Sequence, residues 1–120
     1  MARNWGNNMK QEHICVLSGL DIPNGKGNRE HLVPKSRVYS LINGQSNVFP
    51  ALKIINTIKG NLLPCEFEQL KYELSYKALN NWNIKEFDRD FIRKAIISWD
   101  EGYNPNWCDM CIINCKRRQR

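Results

Sequence analysis

Glu30-His31-Leu32-Val33-Pro34, followed by Asn47-Val48-Phe49 and then by Leu52-Lys53-Ile54-Ile55-Asn56-Thr57-Ile58-Lys59-Gly60, decides how this chain is read. An acidic side chain stands beside a histidine just before a proline. Asn47 follows that histidine by sixteen residues, Asn56 comes nine further on, and Lys59 three beyond that. These residue types suit hydrolysis of a phosphodiester, which needs a nucleophilic water, a base to deprotonate it and a cation for the developing charge. His31 qualifies as the base because a near-neutral imidazole takes up a proton at working pH. Glu30 and Asn56 offer oxygen ligands, the type that a hard cation such as Mg2+ prefers. Neighbouring side chains on a strand point to opposite faces, so a flat strand cannot aim both Glu30 and His31 at one phosphate; a twist or bulge has to reconcile them. Each position also has a plain structural reading. A histidine beside a glutamate is commonly a surface or hydrogen-bonded group. Asn47 follows Gly44-Gln45-Ser46 and suits a turn. Asn56 and Lys59 suit the exposed side of a short helix stopped by Gly60.

Taken together and at this spacing, Glu30-His31, Pro34, Asn47 and Asn56 resemble the HNH endonuclease motif, the ββα-metal nuclease site, over roughly residues 13–66. The resemblance implies an α+β fold built on a small ββα-metal unit. It implies an enzyme that cleaves nucleic acid, double-stranded DNA before other substrates, with one divalent cation, Mg2+ or Mn2+. In that role His31 is the catalytic base. Glu30 and Asn56 are catalytic residues that hold the metal, Asn47 braces the loop between the strands through its backbone, and Lys59 contacts nucleic acid. Three departures from the family pattern stand out. Glu30 occupies a place where Asp is more usual, and Asn56 is the variant of a position often held by His. The Cys-x-x-Cys knuckles common in the family are missing: Cys15-Val16-Leu17-Ser18 has Ser18 in the second place, and the second pair falls on Leu52 and Ile55. Apolar packing is expected to replace the usual zinc knuckle.

The rest of the chain fills in around this motif. A buried strand is expected at Ile14-Cys15-Val16-Leu17, then a turn-rich loop with Pro23, Gly25 and Gly27. The first motif strand is read over residues 29–33, ended by Pro34. A loop over residues 35–46 leads to a second strand that begins at Asn47, and the motif helix is read over residues 51–59. Two amphipathic helices form a C-terminal extension. Residues 66–79 place Phe67, Leu70, Leu74 and Ala78 at helical spacing. Residues 84–101 stack Phe87, Phe91, Ala95 and Trp99, with Ile92 and Ile96 beside them, behind an expected capping box of Asn83 and Glu86. These stripes read as core, packed on the motif helix. The whole is read as one domain over residues 1–120: motif core 13–66, helical extension 66–102, cysteine cluster and basic tail 108–120.

Composition agrees with a folded domain that meets a polyanion. The chain is 42% hydrophobic and 25% charged, which argues against disorder. Its net charge of +6 favours nucleic acid as partner. The tail places Lys116, Arg117, Arg118 and Arg120 within five residues, either as phosphate contacts or as a solvated end. No apolar run has the length of a membrane span, and polar residues follow the opening Met1-Ala2-Arg3-Asn4-Trp5-Gly6. A cytoplasmic protein with reduced thiols and no membrane partner is therefore expected, and five cysteines speak against a closed disulfide framework. Cys108, Cys111 and Cys115 form a compact soft-ligand cluster. A structural Zn2+ needs a fourth ligand, for which Cys15 is the natural candidate and His13 or Cys65 are alternatives. The competing reading is three small thiols packed beside Ile112 and Ile113. At the level of function, the rival to the nuclease is a non-catalytic, metal-stabilised nucleic-acid-binding module. A protein–protein module is a third reading, and the oligomeric state is open.

Overall fold

The structure, a computed structural model, describes residues 13–34 and 47–107. The expected loop over 35–46, the cluster of Cys108, Cys111 and Cys115, and the basic tail lie outside the described residues. Among those described, the chain is α+β, with a two-stranded antiparallel sheet and three helices.

Strands β1 (Gly27–His31) and β2 (Val48–Leu52) pair in unbroken register, from Gly27 opposite Leu52, through Glu30 opposite Phe49, to His31 opposite Val48. No bulge interrupts this ladder, so Glu30 and His31 stay on opposite faces of β1. The strand ends at His31 and not at Val33, because beyond His31 its partner is no longer a strand. Leu32 N–H donates to the Asn47 carbonyl at 2.9 Å, and the Asn47 side chain takes both backbone groups of Val33. At the other end, Lys53 N–H donates to the Lys26 carbonyl. The chain therefore remains extended through Ala51 and Leu52, where the sequence reading starts the helix. Pro50 costs the ladder nothing. A residue's N–H and C=O point the same way from a strand, and the Pro50 carbonyl faces away from β1, to Val16 N–H at 2.9 Å.

The strand expected at residues 14–17 is instead a buried turn, flanked by a single antiparallel bridge between Ile14 and Asp21. Gly19 reverses the chain at φ +74, and Cys15 N–H reaches the Leu20 carbonyl at 2.8 Å. The carbonyls of this turn are satisfied by side chains from far along the sequence. Trp99 Nε1 donates to Leu17, Tyr103 Oη to Val16, and Ser98 Oγ to Ser18.

Helix α1 (Lys53–Lys59) follows β2 directly and ends at Gly60, whose φ of +57 suits a residue without Cβ. Helix α2 (Pro64–Leu79) opens on a proline, whose missing N–H has no helical partner to lose, while the Glu66 carboxylate accepts Leu63 N–H at 2.8 Å. Helix α3 (Glu86–Asp100) begins after Lys85, so Asn83 is not its cap. The Asn83 and Ile84 amides are spent on Asn81, and the Glu86 carboxylate receives Arg89 and Arg93. Ile92, Ala95, Ile96 and Trp99 form the buried stripe of α3, whereas Phe87 is 44% exposed. The three helices touch one another pairwise, and α1 packs on both strands of the hairpin. A two-stranded hairpin is marginal on its own and needs such a cover. The core runs from Cys15, Val16 and Leu17 through Phe49, Leu52, Ile55 and Phe67 to Trp99 and Trp107. Phe67 meets Trp99 edge-on at 6.0 Å and Trp107 at 5.7 Å. No helix among the described residues is long and apolar enough to cross a membrane.

Candidate active site

The alternation of β1 puts Asn28 and Glu30 on one face, the face that meets α1. On α1, Ile55 and Lys59 lie four residues apart and are both buried, so Lys59 points inward with Ile55 and not out to solvent. Its ammonium lies 3.0 Å from Glu30 Oε2, with side-chain exposures of 0% and 10%. The contact is a close ion pair enclosed by the protein. The expectation that Lys59 reaches outward to nucleic acid is therefore corrected. Its charge is used inside the protein, on the carboxylate of the motif.

Asn56 joins the same group. Its amide nitrogen donates to Asn28 Oδ1 at 3.1 Å, on the strand face that also carries Glu30. Burial pushes the Glu30 carboxyl above the usual carboxylate range; the Lys59 ammonium, and more weakly the neighbouring His31 and Asn56, pull it back without cancelling the effect. The loss of hydration outweighs the attraction of the pair, as is common for ion pairs taken out of water. Glu30, Asn56, Asn28 and Lys59 thus converge where the hairpin meets α1.

His31 stands on the last rung of β1, half-buried and close enough for its charge to act on Glu30. Just beyond it, Asn47 is fully buried and clamps Val33 from both sides. Val33 N–H donates to Asn47 Oδ1 at 3.0 Å, and Asn47 Nδ2 donates to the Val33 carbonyl at 3.0 Å. A primary amide has a donor and an acceptor spaced like those of a peptide group, so this one side chain stands in for a missing strand.

Cys15 is fully buried, and its Sγ accepts Leu52 N–H at 3.3 Å. Burial raises its thiol above the ordinary range, with a hydrogen bond from Ser18 opposing the effect. Leu52 and Ile55 are also completely buried. The four positions of the absent knuckles, Cys15, Ser18, Leu52 and Ile55, thus all lie in the interior, with apolar packing at the last two. His13 is exposed and Cys65 half-buried. Among the described residues no three His, Cys, Asp or Glu side chains gather into a metal-holding group.

Sequence reasoning missed Asn28 as a partner of Asn56 and missed the inward aim of Lys59. The first was available, since Asn28 is two residues before Glu30 and shares its strand face. A scan against models of protein families and a search of curated proteins match nothing to this chain.

Proposed function

We propose that this chain is a metal-dependent HNH-type endonuclease, built on a ββα-metal unit, that hydrolyses phosphodiester bonds of nucleic acid, with double-stranded DNA as the expected substrate. The observation that carries the reading is the meeting of the β1 face that bears Asn28 and Glu30 with Asn56 and Lys59 of α1, beside a histidine whose strand end is clamped by Asn47. The donor set fits a hard cation: a carboxylate and an amide on facing elements, with Glu30 Oε2 held by the Lys59 ammonium. Glu30 and Asn56 would hold Mg2+ or Mn2+, leaving the other positions to waters and phosphate oxygens. When bound, the cation supplies charge to the scissile phosphate and the leaving oxygen. His31 takes the proton from the attacking water. Asn47 holds Val33, and through it the end of the strand that carries His31.

The same reading assigns Lys116, Arg117, Arg118 and Arg120 to nonspecific phosphate contacts, on the strength of their charge. It keeps a structural Zn2+ on Cys108, Cys111 and Cys115, with Cys15 as fourth ligand, as a separable proposal. Its support on the protein side is Trp107, next in sequence to Cys108, whose Nε1 donates to the Val16 carbonyl at 3.4 Å, one residue from Cys15. Elemental analysis of protein purified without added metal decides that point.

The nuclease reading is tested by nicking of supercoiled plasmid with and without Mg2+ or Mn2+. Removing a general base typically costs about 10²–10⁴-fold in rate, so His31→Ala is expected to lose activity to that extent while still binding DNA. Wild-type turnover in the mutant overturns the assignment of His31. Binding without cleavage in any cation moves the chain to the non-catalytic module.

A further inference from the structure

The proposed metal ligand Glu30 already has a cation. We propose that the Lys59 ammonium and a divalent cation compete for the Glu30 carboxylate, so that Lys59 sets how much cation the site requires. This rests on the reading of Glu30 as a metal ligand and adds a residue that controls it.

Three observations carry the inference. Lys59 Nζ sits 3.0 Å from Glu30 Oε2 with the lysine side chain fully enclosed. The other two members of the group, Asn28 and Asn56, are neutral amides bonded to each other. One carboxylate and one ammonium leave this group with no formal negative charge to offer a divalent ion, and the affinity of oxygen-ligand sites follows their ligand charge. Finally, among the described residues Nζ has no partner other than this carboxylate. The ammonium brings one positive charge to an oxygen on which a divalent ion places two. Release of the ammonium then needs only rotation about the bonds of the four-carbon lysine stem.

The test measures binding and not cleavage. Free Mn2+ is titrated by electron paramagnetic resonance against folded wild type, Lys59→Gln and Glu30→Gln, with circular dichroism confirming the fold of each. Lys59→Gln is expected to bind Mn2+ about tenfold or more tightly than wild type, equivalent to about 1.4 kcal/mol, and Glu30→Gln to lose binding. If Lys59→Gln binds as wild type does while Glu30→Gln loses binding, the competition is overturned and Glu30 stands as a ligand. If all three bind alike, or none binds, the ligand assignment and the competition fall together. Lys59→Gln leaves a buried carboxylate unpaired, so a second measurement uses the unaltered protein. Acylation of the Lys59 amine, read by peptide mass spectrometry, is expected to be blocked without cation and to rise as Mn2+ binding is completed. Continued protection at full Mn2+ occupancy overturns the competition.

Discussion

Asn47 shows what one side chain can decide. Its amide replaces two ladder hydrogen bonds just where β1 runs out, and both it and Val33 are buried. Asn47→Ala removes both bonds and strands the Val33 N–H and carbonyl without water. Because an unsatisfied buried group costs more than a hydrogen bond contributes on average, the loss is expected at about 2–4 kcal/mol. Urea unfolding measures it, and a loss well below about 1 kcal/mol would show water entering the site. Cys15 provides a pH test in protein freed of metal by chelation. Burial raises its folded pKa, so the folded chain keeps a proton that the unfolded chain releases. Stability contributed by the buried thiol is complete below the unfolded value, near about 8.5, and is lost as pH climbs through the folded value. Urea midpoints followed upward from about pH 7 are expected to fall less steeply in Cys15→Ala than in wild type. At this scale the motif residues were legible from their types and spacing. The direction of Lys59 was not, because three residues after Asn56 the chain can face either the hairpin or solvent, and only the placement of α1 on β1 chooses.

At the scale of elements, the turn from Cys15 to Gly19 is held by α3 and the residues after it. Trp99, Ser98 and Tyr103 all donate to its carbonyls, with bonds of 2.9, 2.7 and 2.8 Å. A Cβ on Gly19 would lie 2.5 Å from the Tyr103 ring, and the position has φ +74. Gly19→Ala combines a left-handed backbone penalty with overpacking and is expected to cost about 2–4 kcal/mol. Gly25 is the control. Its φ of +83 is similar, but a Cβ there meets open space, so Gly25→Ala retains only the backbone penalty, about 1 kcal/mol. Equal losses at the two glycines, measured by thermal unfolding, would show that Tyr103 moves aside freely. The apolar stripe of α3 was legible because its period is local. The turn was not, since an apolar run as short as residues 14–17 reads equally as a buried strand, and the donors that make it a turn lie more than eighty residues away.

For the molecule as a whole, the net charge of +6 is what the proposed nucleic-acid partner would meet. Removing residues 116–120 deletes four positive charges. If they touch phosphates, the slope of log affinity against log salt on duplex DNA flattens by roughly 0.9 for each phosphate no longer neutralised. Fluorescence anisotropy across a salt series reads this slope, and no change would make the tail a solvated end. Composition and periodicity by themselves determined the class, an α+β element order with enough apolar residue for a core, while the resemblance to the HNH motif singled out the candidate residues Glu30, His31, Asn47 and Asn56. These follow from the sequence because they depend on residue type and on contacts a few positions apart. Tertiary structure alone decided that β1 stops at His31, that residues 14–17 form a turn, and that Lys59 turns inward onto Glu30. The physical reason is common to all three. Each depends on where a buried polar group finds its partner, and those partners come from segments that only folding brings together.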